Sequence, residues 1–257
     1  MKCVFDLDGT LSFDYMTINE EVKQVLQSAD KYGHEVIFAS ARSYRDCLGL
    51  LGDPLSQNLV IGLNGGLIYQ GGQLLFERRL DERGYQSVLD WCQTYNLPLF
   101  VDNTFHYSGQ IVEKIPFIAS VDPLKRAKHL ALADLTNPIK VVVYMGDHEF
   151  LVEEMQHQLS SLQVMDISYH EHEKCLYINP LHTNKATTIL EQCGHEFIAF
   201  GNDKNDIEMF KASTYAVQIG DYPGLREFAD DCLLLTGDYQ AALAAKITQV
   251  FADFRGR

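Results

Sequence analysis

Apolar and polar positions alternate along this chain in a pattern that starts with a short apolar run, Cys3 to Phe5. Similar runs rich in β-branched residues follow at Glu35 to Ala39 and Leu59 to Leu63. Between the first two, Val22, Val25, Leu26 and Ala29 recur at helical spacing, so strand, helix and strand alternate as they do in a parallel sheet. Thr17 and Glu20 have the spacing of a capping box at the start of that helix, and Gly33 supplies a stop. Gly71-Gly72, between Leu67-Ile68-Tyr69 and Leu74-Leu75-Phe76, predicts a hairpin, because glycine reaches the positive φ that such turns need.

The same alternation returns late, with strands expected near Phe197 to Phe200, Tyr215 to Ile219 and Cys232 to Leu235, and helices near Asn184 to Cys193 and Tyr239 to Phe254. The two ends therefore predict one α/β domain, residues 1–81 and 182–257. Residues 82–181 break the pattern and predict an inserted α+β domain. Its expected elements are a helix over Glu82 to Tyr95, strands near Leu97 to Asp102 and Ile139 to Met145, a helix near His148 to Ser161, and strands near Val164 to Tyr169 and Lys174 to Asn179.

Composition narrows the partners. The 257 residues are 46% hydrophobic, enough for a full core, and carry 35 acidic against 21 basic side chains. A net charge of −14 repels nucleic-acid phosphates and anionic lipid, so the expected partner is a small solute, with no nucleic acid and no membrane. Six cysteines show neither paired zinc-ribbon spacing nor the density of a secreted disulfide scaffold. With no long apolar run and Asp6 and Asp8 close to the first residue, the expected location is the cytoplasm. A monomer or weak homodimer is expected.

Asp6-Leu7-Asp8-Gly9-Thr10 follows the first apolar strand, and ligands of open parallel sheets collect beyond the carboxyl ends of the strands. With a strand period of two, Asp6 and Asp8 can point the same way, Gly9 permits a sharp turn, and Thr10 offers a hydroxyl and an amide. Such a segment is also an ordinary strand-end turn, so the chemistry depends on further motifs. Ala39-Ser40-Ala41-Arg42 ends the second strand with a hydroxyl and a guanidinium, both suited to phosphoryl oxygens. Lys185 opens the first helix after the insertion. Gly201-Asn202-Asp203-Lys204-Asn205-Asp206 ends an apolar strand with oxygen ligands suited to a hard cation such as Mg²⁺.

In this order, Asp-x-Asp-Gly-Thr, a hydroxyl after the second strand, Lys185, and a Gly-Asn-Asp-x-Asn-Asp segment continued by Ile207-Glu208-Met209 resemble the four-motif signature of haloacid dehalogenase phosphatases. Asn64-Gly65-Gly66 and Ala39-Ser40-Ala41-Arg42 are similar to the Asn-Gly-Ala and Ala-Thr-Gly-Arg segments of the Cof-type branch, subfamily IIB. The resemblance implies a Rossmann-like parallel-sheet core with an inserted α+β cap of the C2 type. It also implies Asp6 as nucleophile and Asp8 as general acid and base. Gly9, Thr10, Ser40, Arg42, Asn64, Lys185 and Asn205 would bind the phosphoryl group, and Asp6, Asp8, Asn202 and Asp206 would hold Mg²⁺. The implied substrate is a small phosphorylated metabolite, with sugar phosphates ranked first and flavin mononucleotide and pyridoxal phosphate also eligible.

One position departs from the family pattern, which has Asp directly after the glycine where this chain has Asn202. Three ligand arrangements follow: Asn202 binds, Asp203 takes over, or Asp206 does most of the binding. An amide there removes one negative charge and weakens the metal. Two other functions compete. A phosphomutase of the small type would insert its cap directly after the first motif, where a helix is expected here instead. A phospho-ligand-binding regulatory protein would need damage to Asp6, Asp8 or Lys185, and all three are present. His170-Glu171-His172-Glu173 supplies too few ligands for a closed zinc shell and reads as exposed strand.

Overall fold

In the computed structural model, which describes residues 1–256, the chain divides into two compact units. One comprises Met1–Arg42, Cys47–Leu75 and the chain from Asn184 onward; the other comprises Ser43–Asp46 and Phe76–Thr183. Along the chain the elements run β1 (Lys2–Phe5), α1 (Glu20–Gln27), β2 (Glu35–Ala39), α2 (Tyr44–Leu51), β3 (Leu59–Gly62), β4 (Leu67–Gln70) and β5 (Gln73–Glu77). Next come α3 (Glu82–Tyr95), β6 (Leu99–Asp102), β7 (Tyr107–Gln110), β8 (His129–Leu130), β9 (Lys140–Tyr144), α4 (Val152–Ser161), β10 (Met165–His170) and β11 (Cys175–Pro180). The chain finishes with α5 (Lys185–Gln192), β12 (Phe197–Gly201), α6 (Ile207–Ala212), β13 (Tyr215–Ile219), α7 (Pro223–Arg226), β14 (Asp231–Leu233) and α8 (Tyr239–Asp253).

An eight-stranded sheet has the order β14-β13-β12-β1-β2-β3-β4-β5. Every pairing from β14 through β3 is parallel, and β4 turns back antiparallel to β3. The parallel strands are near-continuous apolar runs because helices cover such sheets on both faces. Cys3, Val4, Phe5, Phe197, Ile198 and Phe200 are fully buried, and the Phe5 and Phe200 rings stack at 4.4 Å. Parallel register sets Phe5 beside Phe200, so the loops carrying Asp6 and Asn202 leave the sheet at the same edge.

The second unit holds a six-stranded sheet of order β10-β11-β9-β6-β7-β8. Val88 and Cys92 of α3 and Met155 and Leu159 of α4 pack with Val141, Val143, Leu176 and Ile178 in one cluster, while Phe100, Val142 and Cys175 join Ile115 in another. Arg45 is buried in this unit, 2.6 Å from Asp102 and 3.2 Å from Asp46, and its guanidinium lies over the Tyr107 ring. Lys140 is buried over the Tyr177 ring; burial lowers its pKa, with Asp102 opposing.

Several expectations need correction. The cap of α1 is Asn19, whose side chain accepts from the Glu21 amide; Thr17 instead donates its amide and hydroxyl to Asp14. Gly33, at φ 80°, ends a short 3₁₀ turn after α1. The α2 helix escaped prediction because its polar residues, Arg45 and Asp46, are buried and break the apolar stripe. β7 and β8 are too short or too poor in apolar residues to stand out. His170 ends β10, and Glu171 to Lys174 form a turn rather than strand. Among the described residues, no helix is long and apolar enough to cross a membrane.

Candidate active site

The first motif is a tight turn at the end of β1. The Asp6 amide donates to Phe200 O at 2.9 Å, and the Leu7 carbonyl accepts from the amides of Thr10, Leu11 and Ser12. Gly9 allows this turn through φ 78°, and a Cβ there would overlap the Asn202 side chain. Asp6 is 3% exposed, whereas Asp8 is only half-buried.

Arg42 is fixed by a forked pair to Asp8, Nε to Oδ2 at 2.8 Å and Nη2 to Oδ1 at 2.7 Å; Nη2 also donates to the Tyr15 carbonyl. Tyr15 is thus a backbone contributor that its residue type does not announce. Ser40 is fully buried, with its Oγ accepting from the Arg42 amide. Its carbonyl accepts from the Asn64 amide, which ties together the loops after β2 and β3. Asn64 sits at φ 55°, and its buried Oδ1 has no hydrogen-bond partner among the described residues.

Lys185 is the first residue of α5, whose start is closed by a reciprocal box: Asn184 Oδ1 accepts from the Thr187 amide and Thr187 Oγ1 from the Asn184 amide. Its Nζ lies 2.5 Å from Asp6 Oδ1 and 2.8 Å from Asp206 Oδ1, with all three groups buried. Burial alone favours neutral lysine, but Asp206 and Asp6 outweigh it and raise Lys185 above its ordinary value. Burial likewise pushes Asp6 up, to about 7, with Lys185 opposing and Asp206 reinforcing.

Asp206 Oδ2 accepts from the backbone amides of Asn202 and Asp203, so both its oxygens are engaged in holding the loop and Lys185. Asp203 is exposed and accepts from the Lys204 amide; Asn205 is exposed on the same turn. Asn202 is the side chain of this loop that reaches the first motif. One terminal atom of its amide lies 3.0 Å from Thr10 Oγ1, 3.2 Å from Asp6 Oδ2 and 2.9 Å from the Asp8 carbonyl oxygen.

The donor set fits a hard cation. With the amide oxygen inward, Asn202, Asp6 and Asp8 present an amide, a carboxylate and a carbonyl oxygen. All three are hard oxygen donors of the kind Mg²⁺ takes. Asp6 and Asp206 carry two formal negative charges against one on Lys185, leaving an excess that attracts a cation.

A family model described as haloacid dehalogenase-like hydrolase matches residues 3–229. The chain is 27% identical over 235 residues to the HMP-PP phosphatase of Serratia proteamaculans (strain 568), covering 84% of this chain and 82% of that one. It shares its fold with a haloacid dehalogenase-like hydrolase from Bacteroides thetaiotaomicron, at a TM-score of 0.81 and 19% identity over 97% of this chain and 98% of the other. A HAD subclass IIB sugar phosphatase, BT4131, aligns at a TM-score of 0.73 and 20% identity, covering 96% of this chain and 99% of its own.

Proposed function

Because the chain belongs to the haloacid dehalogenase-like hydrolase family, we propose that it is a Mg²⁺-dependent phosphatase that hydrolyses a small phosphomonoester through an aspartyl-phosphate on Asp6. The observation that carries this is the buried Lys185 pinned between Asp6 and Asp206, with Asp8, paired to Arg42 of the loop after β2, on the same turn as Asp6. Asp6 attacks phosphorus through a carboxylate oxygen, forming an O–P bond as the ester oxygen departs. Asp8 gives that oxygen a proton, then takes one from the water that attacks phosphorus and releases orthophosphate, restoring the Asp6 carboxylate. Arg42 orients Asp8 for the second step, and because its fork engages both Asp8 oxygens, contact with the departing oxygen in the first step requires the pair to loosen.

Lys185 holds the phosphoryl oxygens and offsets repulsion between Asp6 and its anionic target, with Ser40 as a further donor. Gly9, Thr10, Asn64 and Asn205 complete the proposed phosphoryl contacts. Asp6, the Asp8 carbonyl and Asn202 would hold Mg²⁺, with Asp206 behind them; when bound, the cation neutralises charge developing on the phosphoryl oxygens. Relatives named as phosphatases, one of them a sugar phosphatase, support ranking sugar phosphates first. We place the protein among soluble cytoplasmic enzymes, with residues 82–181 as the cap.

The test is phosphate release from a panel of phosphorylated metabolites and an aryl phosphate, with and without Mg²⁺, beside Asp6→Asn. Metal-dependent release lost in Asp6→Asn is the expected result. Binding of phosphorylated ligands without any release would favour the regulatory alternative, for which Asn202 is the motivating residue.

A further inference from the structure

We propose that Asn202 stands in for the cation: in the metal-free protein its amide N–H groups bridge the Asp6 carboxylate and the Asp8 carbonyl, and a cation enters only when the amide turns over. The inference rests on the cation assignment made above and concerns what this chain does without the cation. The amide atom facing Thr10, Asp6 and Asp8 has oxygens 3.0, 3.2 and 2.9 Å away. The Asp8 carbonyl only accepts, and so does Asp6 once ionised, so above the Asp6 pKa both of these contacts are hydrogen bonds only if that atom is nitrogen. The Thr10 hydroxyl accepts as readily as it donates and suits either orientation.

An aspartate in this place has no proton to offer at neutral pH. It would bring a second carboxylate to about 3 Å from Asp6, with Asp206 behind, and leave the metal-free site self-repelling. The asparagine therefore changes two equilibria at once. It satisfies the metal-free site, and it makes a cation displace two hydrogen bonds while offering one less negative charge in return. Both effects weaken cation binding.

The test compares wild type with Asn202→Asp by calorimetric titration of Mg²⁺ and by thermal melting in chelator and in excess Mg²⁺. Asn202→Asp should bind Mg²⁺ on the order of tenfold more tightly or better, since ligand charge sets affinity at such sites. It should melt lower than wild type in chelator, by ~2–4 °C per kcal/mol lost, and gain more from Mg²⁺. Equal or weaker Mg²⁺ binding by Asn202→Asp, or an unchanged or higher melting temperature in chelator, overturns the proposal. Should the variant not fold, the wild-type Asn202 side-chain amide signals, assigned by their absence in Asn202→Ser, decide the matter. They should shift on Mg²⁺ saturation, and signals that stay put refute turnover of the amide. The phosphatase assignment is judged separately, by Asp6-dependent phosphate release.

Discussion

Asp6 is both the proposed nucleophile and a carboxylate whose charge burial penalises. Its pKa stands at about 7, above the ~3.9 of an unfolded aspartate, so between these values the native state binds more protons than the unfolded chain. Stability then declines as pH rises through that window. Asp6→Asn removes the term: without divalent cation it should melt above wild type at pH 8, with the gap closing toward pH 4. A gap that widened on acidification would reverse the sign and refute the assignment. Asp6, Asp8 and Lys185 were legible in the sequence because each closes a strand or opens a helix in a recognisable motif. The direction in which the Asn202 amide points, and the Tyr15 carbonyl on Arg42, were not legible, since both depend on what a folded loop brings within hydrogen-bonding distance.

At the scale of elements, the position of Lys185 depends on the first turn of α5. Asn184 caps that turn, and Thr188 Oγ1 donates to the Gly65 carbonyl, joining the helix to the loop after β3. Asn184→Ala should cost about 1 kcal/mol in denaturant unfolding. Because the cap also fixes the start of the helix that carries Lys185, kcat should fall more than KM; an equal rise in KM with kcat intact would instead indicate ground-state binding. Strands such as Glu35–Ala39 and Phe197–Gly201 and the helix Glu82–Tyr95 were readable because periodicity and caps agree there. α2 was hidden because tertiary contacts bury Arg45 and Asp46, an inversion that no local pattern announces.

For the whole molecule, all six cysteines are free, five of them buried and Cys232 partly exposed. Burial pushes the Cys3, Cys92 and Cys175 thiols up to about 12, away from the reactive thiolate. A thiol reagent should therefore label Cys232 quickly in the native protein and the remaining five only on unfolding. Fast native labelling of several thiols would contradict this packing. The position of β1 at the centre of the eight-stranded sheet has a consequence for synthesis on the ribosome. Its partner β12 lies almost two hundred residues downstream, so the nascent chain carries one backbone edge of β1 unpaired until translation passes Gly201. A chain stopped at Thr183 retains β1 to β5 but lacks β12 and the Lys185 ammonium. It should appear in inclusion bodies or on chaperones, and recover solubility when the segment from Asn184 onward is supplied in trans.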